Sequence, residues 1–303
     1  MKILKPWTWM KLDSARTKAA RNHFDTIGRY DEWHELCQQY FTRKCGSDGG
    51  DLKRNGVEIV RCLSSDDAAE TKERLIAEAG SFAAAKASID YADVMRFSDS
   101  AFMLPVVEKM LNPAMDDKLT SIFGSEYFVY SLGVNRTMPA KEAKRSFLWH
   151  CDRGPKDFLK INMFLDATSK HGGTTEFIDL ENSLAYEMAG YTFGANQRRL
   201  DDFTGLNRKL GISPKAIHPQ LDAGEAFAFY PARSMHRGFL PTKGVRHMFS
   251  IVLLPSPVHW RKVWEKTVKS GYHLNTNAAF PDDAFKMFTD IGLSIPDRRK
   301  LSA

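Results

Sequence analysis

Residues 146–175 read SFLWHCDRGPKDFLKINMFLDATSKHGGTT. An apolar run ends in His150-Cys151-Asp152, a second ends in Asp166, and a Gly172-Gly173-Thr174-Thr175 turn follows. Short apolar runs bounded by Gly, Pro and charged residues predict β-strands rather than helices. The same texture continues on both sides, in EYFVYSLGV (126–134), TTEFIDL (174–180), EAFAFYP (225–231), MHRGFLP (235–241) and RHMFSIVLLP (246–255). With SFLWHCD and FLKINMFLD these form a series of strands without intervening βαβ units, which predicts an antiparallel sandwich or jelly roll. The series is broken once, by an insertion over 181–217 that is rich in Asn, Arg, Gly and Leu and too long for a simple turn. We read that insertion as a lid over the barrel mouth, with Arg198, Arg199, Arg208 and Lys209 placed to meet an acidic group on a ligand.

Outside the β-rich part the chain reads as helical. Charges and aromatics recur at helical spacing from Trp9 to about Lys44, and CGSDGGD (45–51) then has the composition of a turn. A strand is expected to start near Val57, and Ser65-Asp66-Asp67 to cap a helix from Ala68 to about Ala79. A further helix around Phe102–Leu111 should stop at Asn112-Pro113. Beyond Pro257, HWRKVWEKTVKS and PDDAFKMFTDIG predict two more, the second started by Pro281-Asp282. The chain of 303 residues is thus expected to form a single domain. It divides into an N-terminal helical appendage (1–50), a β-core with supporting helices (56–255) and C-terminal helices (258–303).

Hydrophobic residues at 43% and charged residues at 26% argue for a folded core and against a disordered chain. The net charge of +6 is scattered, and the densest group, Arg198-Arg199 with Arg208-Lys209, is too short for a nucleic-acid stripe. The expected partner is therefore a small molecule, and the positive charge leaves room for an acidic group on it. Cys37, Cys45, Cys62 and Cys151 have no C-x-x-C spacing and are few for a disulfide scaffold, so they are expected to be free thiols. No apolar run approaches 18 residues, and Pro6, Lys11 and Asp13 interrupt the N-terminus where a signal peptide needs an apolar core. A cytoplasmic protein is expected.

The chemistry lies in WHCD. Residues two apart on an extended strand share a face, so His150 and Asp152 can reach one point while Cys151 turns away. Alone, H-x-D is weak, because strand histidines are more often hydrogen-bonded core or surface residues. A third imidazole, His236 in PARSMHRG, lies where a later strand should return. Two histidines and one carboxylate on one face of a metal leave three positions open, the arrangement suited to Fe(II) oxygen chemistry. His171, His218, His259 and His273 have no carboxylate at ligand spacing in the sequence and are left out, and Phe147 and Trp149 read as core.

Four segments together resemble the Fe(II)/2-oxoglutarate-dependent oxygenases, and within them the phytanoyl-CoA dioxygenase-like branch. NGVEIVRCLSSDDAAETKERL is similar to its opening strand and helix, WHCDRG to its H-x-D, NMFLDATSKHGGTTEFI to its strand and Gly-Gly-Thr turn, and AGEAFAFYPARSMHRG to its distal-histidine hairpin. The resemblance covers about Gly56–Pro255 and does not extend to the first forty-odd residues or the C-terminal helices. It implies a double-stranded β-helix, a jelly-roll or cupin-like barrel, with His150, Asp152 and His236 as catalytic iron ligands. Arg246, ten residues after His236 (246 − 236), resembles the family's clamp on the cosubstrate 2-oxoglutarate, where a guanidinium forks onto a carboxylate. Its neighbour His247 should then face away. Tyr130, Asn162 and Thr175 are further candidates for binding the cosubstrate. The implied reaction hydroxylates a small organic molecule with O2 and releases succinate and CO2. Two other readings stay open at this point: a non-catalytic metal-binding jelly roll, and an oxygenase acting on a nucleic acid or protein.

Overall fold

Gly56 is where the chain enters the barrel. Its φ of +79° suits glycine, and a Cβ there would lie 2.5 Å from Leu180 and 2.6 Å from Ser234 Oγ. It turns the short helix Gly50–Asn55 into the first strand. The computed structural model describes residues 30–46, 48–79, 81–84, 91–96, 101–152, 155, 157–191, 199–269 and 289. Its strands are β1 (Val57–Arg61), β2 (Ser81–Ala84), β3 (Ala92–Arg96), β4 (Glu126–Thr137), β5 (Leu159–Phe164), β6 (Thr175–Phe177), β7 (Glu225–Phe229), β8 (His236–Gly238) and β9 (Arg246–Ser256).

A large antiparallel sheet has the order β1-β7-β5-β9-β4-β3-β2, and a small one pairs β6 with β8. Single bridges, Phe177 to Ile217 and His150 to His236, widen the small sheet on its two sides. The fold is a double-stranded β-helix of the jelly-roll type, mainly β with flanking helices.

The two-residue period of the strands sorts the large sheet's side chains between two environments. Leu159, Ile161 and Met163 of β5, Ala226 and Ala228 of β7, and Phe249, Ile251 and Leu253 of β9 point outward into a core. Helices Ser65–Glu78, Leu104–Met110 and Pro113–Phe123 cover them with Leu75, Val107, Met110, Leu119 and Phe123. The alternate residues point between the sheets. There Phe164, Phe177, Phe227 and Phe229 close one end of the space, while Lys160, Asn162, Arg246 and Ser250 face a cavity.

Several local expectations need revision. Ser64, not the residues after it, caps the helix Ser65–Glu78, its side chain accepting from Asp67 N. Asn112-Pro113 ends one helix and starts another: the Asn112 side chain accepts from Ala114 N and Met115 N, and proline fits the first turn. The strands β2 and β3 were not expected; β2 reads SFAA, and alanine carries little β-propensity. Helix Tyr30–Gln39 lies in the predicted N-terminal appendage, and its Tyr30, Trp33, Leu36 and Cys37 pack on Phe128 and Leu254. Helix Trp260–Lys269 lies in the first predicted C-terminal segment. The helical readings over 9–29 and 281–292 fall outside the described residues apart from Thr289.

The 181–217 insertion contributes helix Thr204–Leu210 and most of helix Leu180–Met188. Its Tyr186, Phe203 and Leu210 pack with Trp149, Cys151 and Met235, behind the segment that carries the H-x-D. Arg208 and Lys209 are exposed there, and Arg198 is outside the described residues. All four cysteines are free. No helix among the described residues is long and apolar enough to cross a membrane.

Candidate metal centre

The segment holding His150 and Asp152 is not the regular strand its sequence suggests. Arg145 opens a 3-10 turn, Arg145–Phe147, at φ 56°, and the extended residues after it find three different partners. Trp149 N donates to Leu200 O at 2.9 Å, His150 N to His236 O at 2.9 Å and Asp152 N to Pro231 O at 2.7 Å. The alternation survives. His150 and Asp152 line the cavity, while Trp149 stacks on Phe203 at 5.5 Å and Cys151 is fully buried on the other side.

One ligand atom from each of His150, Asp152 and His236 lies within 4.8 Å of the others, the only such group of His, Cys, Asp or Glu side chains among the described residues. His150 Nε2 is 3.4 Å from Asp152 Oδ1 and His236 Nε2 is 4.0 Å from the same oxygen. The Nδ1 of His150 lies 2.8 Å from Leu148 O, and that of His236 2.8 Å from Ser234 O. A carbonyl can only accept, so each Nδ1 carries a proton and each Nε2 is the atom turned to the other ligands. Burial, and then the neighbouring His150, pushes His236 down to about 3, which keeps it in the neutral form a metal needs. For Asp152 burial acts upward, but Lys160 and both imidazoles outweigh it and hold the carboxyl well below its usual range. The donor set, with a neutral His236 and an ionised carboxylate, fits a divalent transition metal.

The cavity above this group measures about 250 Å³. Arg246 enters it from the head of β9, 4% exposed. Its Nη1 donates to Thr174 O at 3.0 Å and Phe239 O at 3.3 Å, and its Nη2 to Thr137 Oγ1 at 3.2 Å. The guanidinium lies 5.6 Å from the Phe147 ring centre and 5.8 Å from that of Phe164. Among the described residues its Nε, buried, has no partner, and none of its hydrogen bonds reaches a carboxylate. Burial alone lowers its pKa to about 10. A buried cation without a counter-charge is an unfavourable feature for a fold and a favourable one for an anionic ligand.

Asn162 and Thr175 also line the cavity, with Ser250 Oγ donating to Asn162 Oδ1 at 2.6 Å. Tyr130 is not among the lining residues. It packs at 6.5 Å from Phe128, beneath helix Tyr30–Gln39, at a register shift between Val129 and Ser131. The lining residues that escaped sequence reading include Lys160 and Phe147. The signal for Lys160 was present: it is a lysine in an otherwise apolar strand, two positions from Asn162 and so on the same face.

His247 faces away, 2.8 Å from Asp166. The remaining described histidines sit outside the cavity. His218 does have a carboxylate, Glu176 at 2.9 Å, supplied across the small sheet. His259 lies 3.8 Å from Asp116, His171 Nδ1 accepts from Gly173 N, and His273 is outside the described residues. A second hollow of about 600 Å³ adjoins the metal cavity, sharing Phe147 and Gly238 with it and walled by Pro139, Ala140, Ala143 and Leu240.

No protein-family model matches this chain, and no curated protein sequence is significantly similar to it. Solved structures do align with it. The epimerase SnoN from nogalamycin biosynthesis, in complex with Fe3+, alpha ketoglutarate and nogalamycin RO, matches at 16% identity over 68% of this chain and 82% of its own, with a TM-score of 0.49. EctD from S. alaskensis with bound Fe matches at 14% over 70% and 78%, with a TM-score of 0.48. The non-heme monooxygenase ThoJ matches at 15% over 69% and 77%, with a TM-score of 0.46.

Proposed function

We propose that this protein is an Fe(II)- and 2-oxoglutarate-dependent oxygenase that hydroxylates a small organic molecule. The carrying observation is that one cavity holds both a His150–Asp152–His236 ligand group and, in Arg246, a buried cation that no carboxylate among the described residues answers. A structural metal site would not need the second feature, and a packed core would have neither.

In this reading His150 Nε2, Asp152 Oδ1 and His236 Nε2 hold the metal on one face. Fe(II) held there would supply the site at which 2-oxoglutarate and O2 react, with decarboxylation to succinate and CO2 as the source of electrons, one oxygen atom going to succinate and the other to the substrate. Arg246 receives the far carboxylate of the dicarboxylate, where a planar fork binds more tightly than a point charge. Asn162 and Thr175 offer polar atoms beside the bound acid. Phe147, Phe164 and Phe229 keep bulk water from the charges between them, which strengthens every ionic contact inside. The adjoining hollow, with its largely apolar wall, is where the body of a small organic substrate fits.

The test is succinate release from 2-oxoglutarate by purified protein with Fe(II) under air, with and without a library of small molecules. Metal-dependent turnover that Asp152→Ala abolishes, and that one class of compound stimulates, is expected. Wild-type protein that binds Fe(II) yet never turns over 2-oxoglutarate would refute the reading.

A further inference from the structure

We propose that Lys160 is a positioning residue that restricts Asp152 to metal ligation through a single oxygen. The proposal rests on the metal-centre reading above and concerns a residue which that reading does not use. The two oxygens of Asp152 are divided between two tasks. Oδ1 is the one that both imidazoles approach, at 3.4 and 4.0 Å, whereas Oδ2 accepts a charge-assisted hydrogen bond from Lys160 Nζ.

The position of that ammonium is fixed from several sides. Lys160 sits in the middle of the large sheet, its Cα paired with Phe229 on β7 and Val252 on β9. Its strand neighbours Leu159 and Ile161 are fully buried on the opposite face, so a shift of register would expel them from the core. Nζ then lies 6.0 Å from the Phe229 ring centre, and that ring packs at 5.1 Å against His236. With 22% of the lysine side chain and 27% of the aspartate side chain exposed, the pair is screened from bulk solvent though open to the cavity.

The reason such a lock matters is a count of coordination positions. A carboxylate binds metals through one oxygen or through both. With one-oxygen ligation the protein fills three of six octahedral positions, leaving two for a chelating keto acid and one for O2. With both oxygens bound, one of those three is lost, and chelation and O2 binding cannot coexist. An ammonium on Oδ2 takes one of that oxygen's two lone pairs and puts a positive charge beside it, both of which oppose a second metal bond there, and hydrogen bonds to ligating carboxylates are a recognised means of orienting them. The same pairing withdraws charge from the carboxylate, so the metal is held less tightly than an unpaired aspartate would hold it.

The experiment compares the full chain, Lys160→Met and Lys160→Arg, each loaded with Ni(II) as a redox-inert surrogate. X-ray absorption or a crystal structure reads the mode of Asp152, and calorimetry reads the affinities for Ni(II) and then for 2-oxoglutarate. One-oxygen ligation is expected in the wild type and in Lys160→Arg. In Lys160→Met we expect two-oxygen ligation, Ni(II) affinity equal or higher, and 2-oxoglutarate affinity lower by on the order of tenfold or more. Melting curves establish that the variants are folded. One-oxygen ligation in folded Lys160→Met, or its loss of Ni(II) altogether, overturns the proposal while leaving the metal-centre reading intact. A wild type that takes up no Ni(II) at the triad overturns both.

Discussion

Replacing Arg246 by methionine should leave the protein about as stable and unable to hold 2-oxoglutarate. The stability side follows from burial, which brings the guanidinium down to about 10. A depression of that size from the ordinary arginine range is worth on the order of 3 kcal/mol against the charged folded state. Because the folded value lies below the unfolded one, this cost is present in full at neutral pH and is relieved only as pH rises through about 10. Against it stand hydrogen bonds to Thr174 O, Phe239 O and Thr137 Oγ1, each contributing about 1 kcal/mol net. Removing the donors strands little, since Thr174 O keeps Phe239 N at 2.7 Å and Phe239 O keeps Thr174 N at 3.2 Å. Methionine can fill the place of the arginine stem between Phe147 and Phe164. The two sides roughly cancel, so the net change is expected within about 1 kcal/mol of zero, a few degrees in Tm at roughly 2–4 °C per kcal/mol. The binding side does not cancel. Losing two charge-assisted hydrogen bonds at about 1.5–3 kcal/mol each should weaken 2-oxoglutarate by at least about a hundredfold. Urea unfolding of metal-free protein and calorimetric titration of the Ni(II)-loaded form measure the two. A variant destabilised by more than about 1 kcal/mol would make Arg246 a structural residue, and unchanged 2-oxoglutarate affinity would remove it from the site.

Three further outcomes are expected. Arg246→Lys keeps the charge but not the fork, so 2-oxoglutarate affinity should fall while Ni(II) affinity holds, both read by calorimetry. The metal-free protein should lose stability as pH falls below about 6.5, because unfolded His236 then binds a proton that the folded form refuses down to about 3. The slope from this one group is about 1.4 kcal/mol per pH unit, and His236→Gln should flatten the urea midpoint against pH. In Gly238→Ala the new methyl would lie 2.8 Å from Phe147 Cδ1, displacing the ring that covers Arg246. Overpacking should cost about 1–3 kcal/mol in urea unfolding and weaken 2-oxoglutarate, with Ni(II) affinity unchanged.

The metal group was legible because its members obey local rules that survive tertiary packing. His150 and Asp152 keep the two-residue alternation even though only His150 has a bridge partner, and Arg246 lies at the head of a strand whose apolar run names its own register. Asn162 and Thr175 come to the cavity for the same reason. Tyr130 was misplaced because two facts absent from local sequence decide its surroundings: a register shift at Val129–Ser131, and a helix from residues 30–39 that covers that end of β4. The pairing of His218 with Glu176 was invisible for a similar reason, being made across strands 42 residues apart. Lys160 could have been noticed, since a lysine flanked by Leu159 and Ile161 is costly unless something in the interior needs its charge. The insertion's apolar residues were visible, but not that they would pack behind Trp149 and Cys151.

The most direct measurement of the central claim is mass spectrometry of succinate formed by the Fe(II)-loaded protein from 2-oxoglutarate under isotopically heavy O2. The account predicts succinate carrying one heavy oxygen atom, formed only with Fe(II) and absent in Asp152→Ala. Unlabelled succinate, or label that persists without His150, Asp152 and His236, would contradict it.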